Sequence, residues 1–506
     1  MKKGKVYLIG AGPGDLGLIT VRGLDLIKTC DIIIYDYLAN PRLLDFVKPG
    51  AEIIYVGKKG GDHTLPQDKI NELLVRKAAE GKNIARLKGG DPYVFGRGGE
   101  EAEELIEAGL AFEVVPGVTS GVAGPAYAGI PVTHRSATSS LAFITGHEGD
   151  GKDESSLHWD KIATGVGTLV FYMGVKNLPM ITANLIKHGR SPKTPVALVR
   201  WGTTPRQKTW VGTLETIGEI AEREKVAPPT LIVVGEVVNF REKLNWFESR
   251  PLFGRRIIVT RARAQASDFS QKLEELGADV YEFPTIETKD PENWQPFDAA
   301  MAQCGSYDWL IFTSVNGVSY LLKRLKETGR DIRDLAGPRI CAIGKKTAQA
   351  VEAVGMKVTL VPEEFRAEGI LEVIGDVKGK KVLIPRALEA REILPEELAK
   401  RGAQVDVVPA YRTVRPAGKK EEMLQLIREG GMMVTFTSSS TVTNFTGMFE
   451  PGELPDVVKS LTVASIGPIT TETALKEGFT VSAMPKVYTI EALIGSIVGF
   501  YEREKA

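Results

Sequence analysis

The chain has 506 residues, 43% hydrophobic and 25% charged, a balance that predicts a soluble globular protein of two to four domains. Lys plus Arg and Asp plus Glu number 64 each, so no bulk field favours nucleic acid or an anionic membrane. Cys30, Cys304 and Cys341 and the five histidines are too scattered for a disulfide framework or a metal site, which fits a reducing cytosol. No apolar run reaches the ~18 residues of a membrane helix, and Met1-Lys2-Lys3-Gly4 leads straight into a strand pattern, so no signal peptide is expected.

The first strand pattern, 6–9, runs into Gly10-Ala11-Gly12-Pro13-Gly14-Asp15. A dinucleotide fingerprint would need glycine at position 15, and Pro13 removes an N–H where a phosphate would want a donor. The loop therefore predicts a ligand wall without phosphates and speaks against a Rossmann-type oxidoreductase. Strand 32–35 ends at Asp36, and strand 53–56 is followed by Gly57 and Lys58. At one edge of a parallel sheet these two could assist proton movement; a surface ion pair is the other reading. A helix is expected over 67–80. Strand 83–87 then opens the most glycine-dense stretch, 86–101, with Gly89, Gly90, Asp91, Arg97, Gly98 and Gly99, before a helix over 100–108. So many glycines at a strand's carboxyl end imply close backbone approach to a ligand. Further glycine-marked strand ends follow at 114–117, which precedes a small-residue helix over 121–128, at Met173-Gly174 and at Trp201-Gly202. Strands are expected at 169–172, 196–199 and 231–234. Alternation of strand and helix patterns predicts the α/β class.

The pattern breaks over 240–253, and a fresh strand begins at Arg256, placing a boundary near residue 250. The second half repeats itself. Residues 256–262 answer 381–387 at an offset of 125, counted from Arg261 to Arg386. Phe312-Thr313-Ser314 answers Phe436-Thr437-Ser438, and Ile343-Gly344 answers Ile466-Gly467, at nearly the same spacing. Two similar α/β lobes follow, with a cleft as the natural ligand site; duplication for purely structural reasons is the alternative.

Residues 10–15, 31–38, 57–71 with His63 and Gln67, 86–101, 115–121, 131–135, 172–174, 200–204 and 229–237 together resemble the uroporphyrinogen-III C-methyltransferases of the tetrapyrrole methylase family. The second half resembles uroporphyrinogen-III synthases more loosely, through its two-lobe repeat, its Phe-Thr-Ser segments and Ala410-Tyr411-Arg412-Thr413. The resemblance implies a two-subdomain methylase unit over 1–245, then a synthase unit over 252–506 with flavodoxin-like lobes. One lobe is expected over 289–412 and the other over 252–288 plus 413–506.

What it implies chemically is a two-step enzyme. Hydroxymethylbilane is cyclised to uroporphyrinogen III, which is methylated twice with S-adenosylmethionine to precorrin-2, on the route to sirohaem and cobalamin. No amino-terminal module that oxidises precorrin-2 is expected. The methyl donor is expected against Pro13, Gly89, Gly90, Asp91, Val94, Thr119, Ser120, Met173 and Gly202. Asp36 matches the family's proton acceptor and Lys58 its donor, with Arg97 and Arg135 as carboxylate partners in the methylase. Tyr411 matches a tyrosine that helps hydroxide leave, and Ser314, Ser438, Ser439 and Thr470 are candidate carboxylate contacts. The synthase needs no cofactor, no metal is expected, and a cytoplasmic homodimer through the methylase unit is. A second half that only binds tetrapyrrole remains the alternative.

Overall fold

The computed structural model describes residues 3–57, 65–147, 157–261, 263–364, 367–388, 393–414 and 420–505. The chain divides into two compact units: 1–257 with 271–280 and 498–506, and 258–270 with 281–497. Among the described residues no helix is long and apolar enough to cross a membrane.

The first sheet takes β1 (Lys5–Gly10), β2 (Ile32–Tyr35), β3 (Glu52–Tyr55), β4 (Ile84–Lys88) and β5 (Ala111–Val115). Their order is β3-β2-β4-β1-β5, and every pairing is parallel. Ile9, Ile33, Ile34, Ala85 and Leu87 are fully or almost fully buried. That is what a parallel sheet covered on both faces requires, and it explains the near-continuous apolar runs. Gly10 pairs with Lys88, so β1 and β4 end level with one another. The chain leaves β1 for β2 on one side and passes from β4 to β5 over β1, which makes the β1/β4 ends the switch point of this sheet.

The second sheet of this unit takes β6 (Leu141–Thr145), β7 (Thr168–Tyr172), β8 (Pro195–Arg200), β9 (Lys208–Thr213) and β10 (Thr230–Val234), ordered β6-β7-β10-β8-β9. Only β6 and β7 run parallel; β7/β10, β10/β8 and β8/β9 are antiparallel. The sequence predicts the three inner strands and misses both edges. β9 mixes polar and half-exposed residues and carries no apolar run, whereas β6 does carry a short one, Leu141-Ala142-Phe143-Ile144, although it is only partly buried. The broken pattern around residue 250 is an aromatic knot: Tyr127 packs edge-on against Trp246 and Phe247, with Arg250 over both indole and phenyl rings.

The remaining strands form two sheets. One is β12-β11-β18-β19-β20, from β11 (Arg256–Val259), β12 (Asp279–Glu282), β18 (Met432–Phe436), β19 (Leu461–Ser465) and β20 (Val481–Ala483). The other is β13-β17-β16-β14-β15, from β13 (Glu287–Lys289), β14 (Trp309–Phe312), β15 (Arg339–Ala342), β16 (Lys381–Ala387) and β17 (Gln404–Val414). The repeat read from the sequence lays β12, β11, β18 and β19 on β17, β16, β14 and β15, which follow the same spatial order.

Candidate active sites at the strand ends

At the β1/β4 switch point two glycine loops are stitched together. Gly90 N–H donates to the Gly12 carbonyl at 2.7 Å, and Gly12 N–H returns to the Gly90 carbonyl at 3.2 Å. Gly117, after β5, lies against them so closely that a Cβ there would stand 2.2 Å from the Gly90 carbonyl oxygen. Gly90 differs. Its φ is +71°, yet a Cβ would meet nothing nearer than 3.7 Å, where Thr119 and Ser120 begin. A side chain at Gly90 would thus fill an open cradle beside Thr119 and Ser120, whereas one at Gly117 would strike backbone.

Asp91 organises this cradle. Its Oδ1 accepts from Tyr93 N–H at 2.8 Å and Val94 N–H at 3.2 Å, and its Oδ2 from Gly117 N–H at 2.9 Å. Asp91, expected against the methyl donor, thus braces two loops with its carboxylate. Thr119 Oγ1 pairs with the Tyr172 hydroxyl at 2.8 Å, which also accepts from Gly121 N–H. Burial pushes the Tyr172 hydroxyl above its ordinary pKa, so it stays a neutral hydroxyl. Tyr172 enters the sequence reading only as the first residue of the 172–174 motif, with no role for its hydroxyl.

Backbone strain concentrates here. Among the described non-glycine residues six have positive φ, and five of them, Phe95, Arg97, Met173, Trp201 and Thr203, sit in the loops after β4, β7 and β8. Such strain persists where surrounding structure imposes it, and it clusters at ligand sites. Rings join the two sheets' loops: Phe95 lies 5.0 Å from Tyr172, and Tyr37 lies 5.9 Å from Trp201. Thr203 Oγ1 accepts from Asp15 N–H at 3.2 Å, and the Tyr127 hydroxyl donates to Asp15 Oδ2 at 2.7 Å. Gly202 abuts Gly124, since a Cβ there would stand 2.9 Å from the Gly124 Cα. Pro13, Gly89, Gly90, Asp91, Val94, Thr119, Ser120, Met173 and Gly202 thus all lie on loops at the strand ends of two sheets or on the helix beginning there. Tyr37, Leu38, Tyr93, Phe95 and Met173 remain exposed on those loops, apolar surface suited to a large ring system.

Asp36 follows β2. Its Oδ1 accepts from Leu38 N–H at 3.1 Å, and its Oδ2 faces Arg86 Nη2 at 3.3 Å. Lys58 and His63 lie outside the described residues. Arg97 begins the Gly98–Glu107 helix and is bonded to Glu100 at 2.7 Å, which raises its pKa further, while Arg135 is exposed. Among the described residues no group of His, Cys, Asp and Glu could hold a metal ion.

In the second half, Tyr411 and Ser314 come together. The Tyr411 hydroxyl lies 3.1 Å from Ser314 Oγ, and its ring stacks on Tyr320 at 5.3 Å. Ser314 caps the Val315–Glu327 helix by accepting from Gly317 N–H. Ser438 plays the same part on the other sheet, capping Ser439–Thr446 in a reciprocal box with Thr441. Ser439 meets Thr473, whose hydroxyl donates to it at 2.9 Å. Thr470 is buried within Pro468–Lys476, and its neighbours Thr471 and Thr473 are the more open hydroxyls. Thr470, the expected carboxylate contact, thus lies one residue before Thr471 and three before Thr473.

Two family models match the chain: Tetrapyrrole (Corrin/Porphyrin) Methylases over residues 5–218 and Uroporphyrinogen-III synthase HemD over 267–495. A porphyrin biosynthesis protein HemD of Ruminiclostridium josui is 38% identical over 504 residues, 98% of each chain. A uroporphyrinogen-III C-methyltransferase of Priestia megaterium is 56% identical over 237 residues, 47% of this chain and 99% of that one. A solved uroporphyrin-III C-methyltransferase of Thermus thermophilus, complexed with S-adenosyl homocysteine, is 40% identical over 47% of this chain and 99% of its own, with a TM-score of 0.41. The chain belongs to the porphyrin-biosynthesis family that joins an S-adenosylmethionine-dependent tetrapyrrole methylase to a uroporphyrinogen-III synthase.

Proposed function

We propose that this chain carries out two consecutive steps on a tetrapyrrole. The second half closes hydroxymethylbilane to uroporphyrinogen III with inversion of ring D. The first half then methylates that product twice, giving precorrin-2 for sirohaem and cobalamin. The observation that carries the methylase reading is the Gly90 cradle: open space at a positive-φ glycine, bounded by Thr119 and Ser120 and stiffened by Asp91.

The cradle fits a nucleoside without phosphates. It offers glycine backbone, hydroxyls and the apolar Met173, and Pro13 withholds a donor where phosphate would need one. S-adenosylmethionine, when bound, supplies an electrophilic methyl group. The protein's contribution is then largely orientation, because holding the reacting carbon in line removes most of the entropic barrier. Val94 and Met173 would border the donor, and Gly202 keeps that wall thin. Asp36 would accept a proton from the ring system, held towards it by Arg86. Lys58 would return one. Exposed Tyr37, Tyr93 and Phe95 would carry the flat substrate, with Arg97 and Arg135 meeting its carboxylates.

In the synthase half, Tyr411 would assist departure of hydroxide, its hydroxyl oriented by Ser314. Ser438, Ser439 and the helix starts they occupy would take carboxylates through hydroxyls and backbone N–H groups. The boundary between the halves is proposed near residue 250, with the domains over 1–245 and 252–506. The enzyme is proposed to act as a homodimer through the first unit. Cys30, Cys304 and Cys341 are buried and unbonded, which supports a reducing compartment, the cytoplasm.

Purified protein given hydroxymethylbilane, with and without S-adenosylmethionine, tests the reading after oxidation of the products. Uroporphyrinogen III is expected without donor and dimethylated product with it. The type I isomer alone, which forms spontaneously, would exclude the synthase step. Unmethylated type III product in the presence of donor would exclude the methylase step, and a monomeric mass in light scattering would exclude the dimer.

A further inference from the structure

Behind Asp36 lies a set of charges that the reaction as described does not use. β4 sends Arg86 and Lys88 to one face, two residues apart, and both are almost wholly buried. Between them stands Glu101, fully buried in the first turn of the Gly98–Glu107 helix. A single oxygen of Glu101 does all the work. Oε1 accepts from Lys88 Nζ at 2.6 Å, from Gln67 Nε2 at 3.2 Å and from Arg86 Nε at 3.3 Å. Oε2 has no hydrogen-bond partner among the described residues.

The Arg86 guanidinium is thereby held on two sides. Nε is on Glu101, and Nη1 donates to the Leu87 carbonyl at 3.0 Å. The remaining nitrogen, Nη2, is the one that faces Asp36. Two cations and two carboxylates make the set neutral as a whole. Burial and the Arg86 charge together hold the Lys88 ammonium below its ordinary pKa, against the pull of Glu101.

Such a cluster is a poor device for stability. Desolvating the charges costs about what their attraction returns, and apolar replacements of buried ion pairs are often neutral or better. An unpartnered carboxylate oxygen adds to that cost. What the cluster does supply is a guanidinium with one orientation, because the planar fork is fixed at Nε and Nη1. We propose that Glu101, neutralised by Lys88, is a positioning residue of the methylase: it aims Arg86 so that Asp36 is held at one place on the reacting face. This rests on the reading of Asp36 as the proton acceptor.

A double-mutant cycle on the full chain tests both, with uroporphyrinogen III and S-adenosylmethionine as substrates. Asp36→Asn is expected to lower kcat. Glu101→Gln is expected to lower kcat by about 10–100-fold, as a displaced catalytic group does, with KM little changed. S-adenosylhomocysteine affinity by calorimetry is expected to hold, because the side-chain hydrogen bonds of Glu101, Arg86 and Lys88 given above run to none of Gly90, Asp91, Thr119 or Ser120. In the Asp36→Asn background Glu101→Gln should cost nothing more. Should Glu101→Gln not fold, Arg86→Lys interrupts the same link while keeping the cation, and the same non-additivity is expected. Wild-type kcat in Glu101→Gln, losses that multiply with Asp36→Asn, or a parallel loss of donor affinity would overturn the positioning role alone. Wild-type kcat in Asp36→Asn would overturn the proton-acceptor reading first and the positioning role with it.

Discussion

Gly12 and Gly90 exchange two backbone hydrogen bonds across the ends of β1 and β4, at 2.7 and 3.2 Å, although 78 residues separate them. This short antiparallel bridge between two parallel strands fixes the floor of the donor cradle. It yields a contrast between neighbouring glycines. Gly90→Ala meets no atom within 3.7 Å but must adopt φ +71°, at a cost of about 1–2 kcal/mol. That variant should fold and bind S-adenosylhomocysteine more weakly, since the methyl occupies the cradle. Gly117→Ala places its Cβ 2.2 Å from the Gly90 carbonyl oxygen, so backbone must move. It should lose donor binding and also thermal stability. Calorimetry and melting curves on both variants check this; equal destabilisation of the two would sink the distinction.

Asp91 serves the cradle by way of backbone N–H groups. Asp91→Ala strands those of Tyr93, Val94 and Gly117, whereas Asp91→Asn keeps one acceptor oxygen. Each unsatisfied group costs ~1–3 kcal/mol when it is shielded from water. Donor affinity should therefore fall in the order wild type, Asn, Ala, with hydrogen exchange rising at residues 93–94 in the alanine variant. Unchanged exchange with lost affinity would instead make Asp91 a direct ligand of the donor.

The parts of this site that are legible in the sequence are those that need an unusual residue. Gly89, Gly90 and Asp91 announce themselves because ordinary loops have no use for so many glycines. Likewise, Ser314 and Ser438 are visible because the lobes repeat. Arg86 and Lys88 carry a weaker signal, two cations at alternate positions of a central strand; only their burial against Glu101 reveals a role. Tyr172 is marked only as part of the 172–174 motif, and its role stays hidden until its hydroxyl is seen on Thr119. The strain at Met173, Trp201 and Thr203 is equally silent, since φ is imposed by tertiary packing and not by residue type. The edge strand β9 is missed for a related reason: its polar, half-exposed residues dilute the apolar pattern.

Tyr411→Phe separates the two activities. The ring keeps its stack on Tyr320 and its place in the core, so the fold should be retained. The substitution removes the hydroxyl that meets Ser314. One hydrogen bond of ~1–1.5 kcal/mol corresponds to a roughly tenfold fall in cyclisation rate. Type I product should rise as spontaneous closure competes, while methylation of supplied uroporphyrinogen III stays at the wild-type rate. An unaltered isomer ratio would return Tyr411 to a packing role.

Glu113 on β5 sets a pH dependence for the first sheet. It accepts from Lys5 at 2.8 Å and takes Arg22 in a forked contact at 2.9 and 3.0 Å. The Lys5 and Arg22 hydrogen bonds hold its carboxyl below the ordinary glutamate value. A carboxyl depressed in the folded state binds its proton more readily once unfolded. Its contribution is therefore complete above the unfolded pKa of about 4.3 and is lost as pH falls through the lower folded value. Glu113→Gln should cost about 0.5–1 kcal/mol at pH 7, the scale of partly exposed pairs. The gap from wild type should begin to narrow below the unfolded pKa of about 4.3 and close only below the lower folded value, where both side chains are neutral. Hydrogen exchange at the β1 and β5 amides, compared between the two proteins at each pH, reads this locally. A gap that persists or widens in acid would show that Glu113 acts through its shape and not its charge.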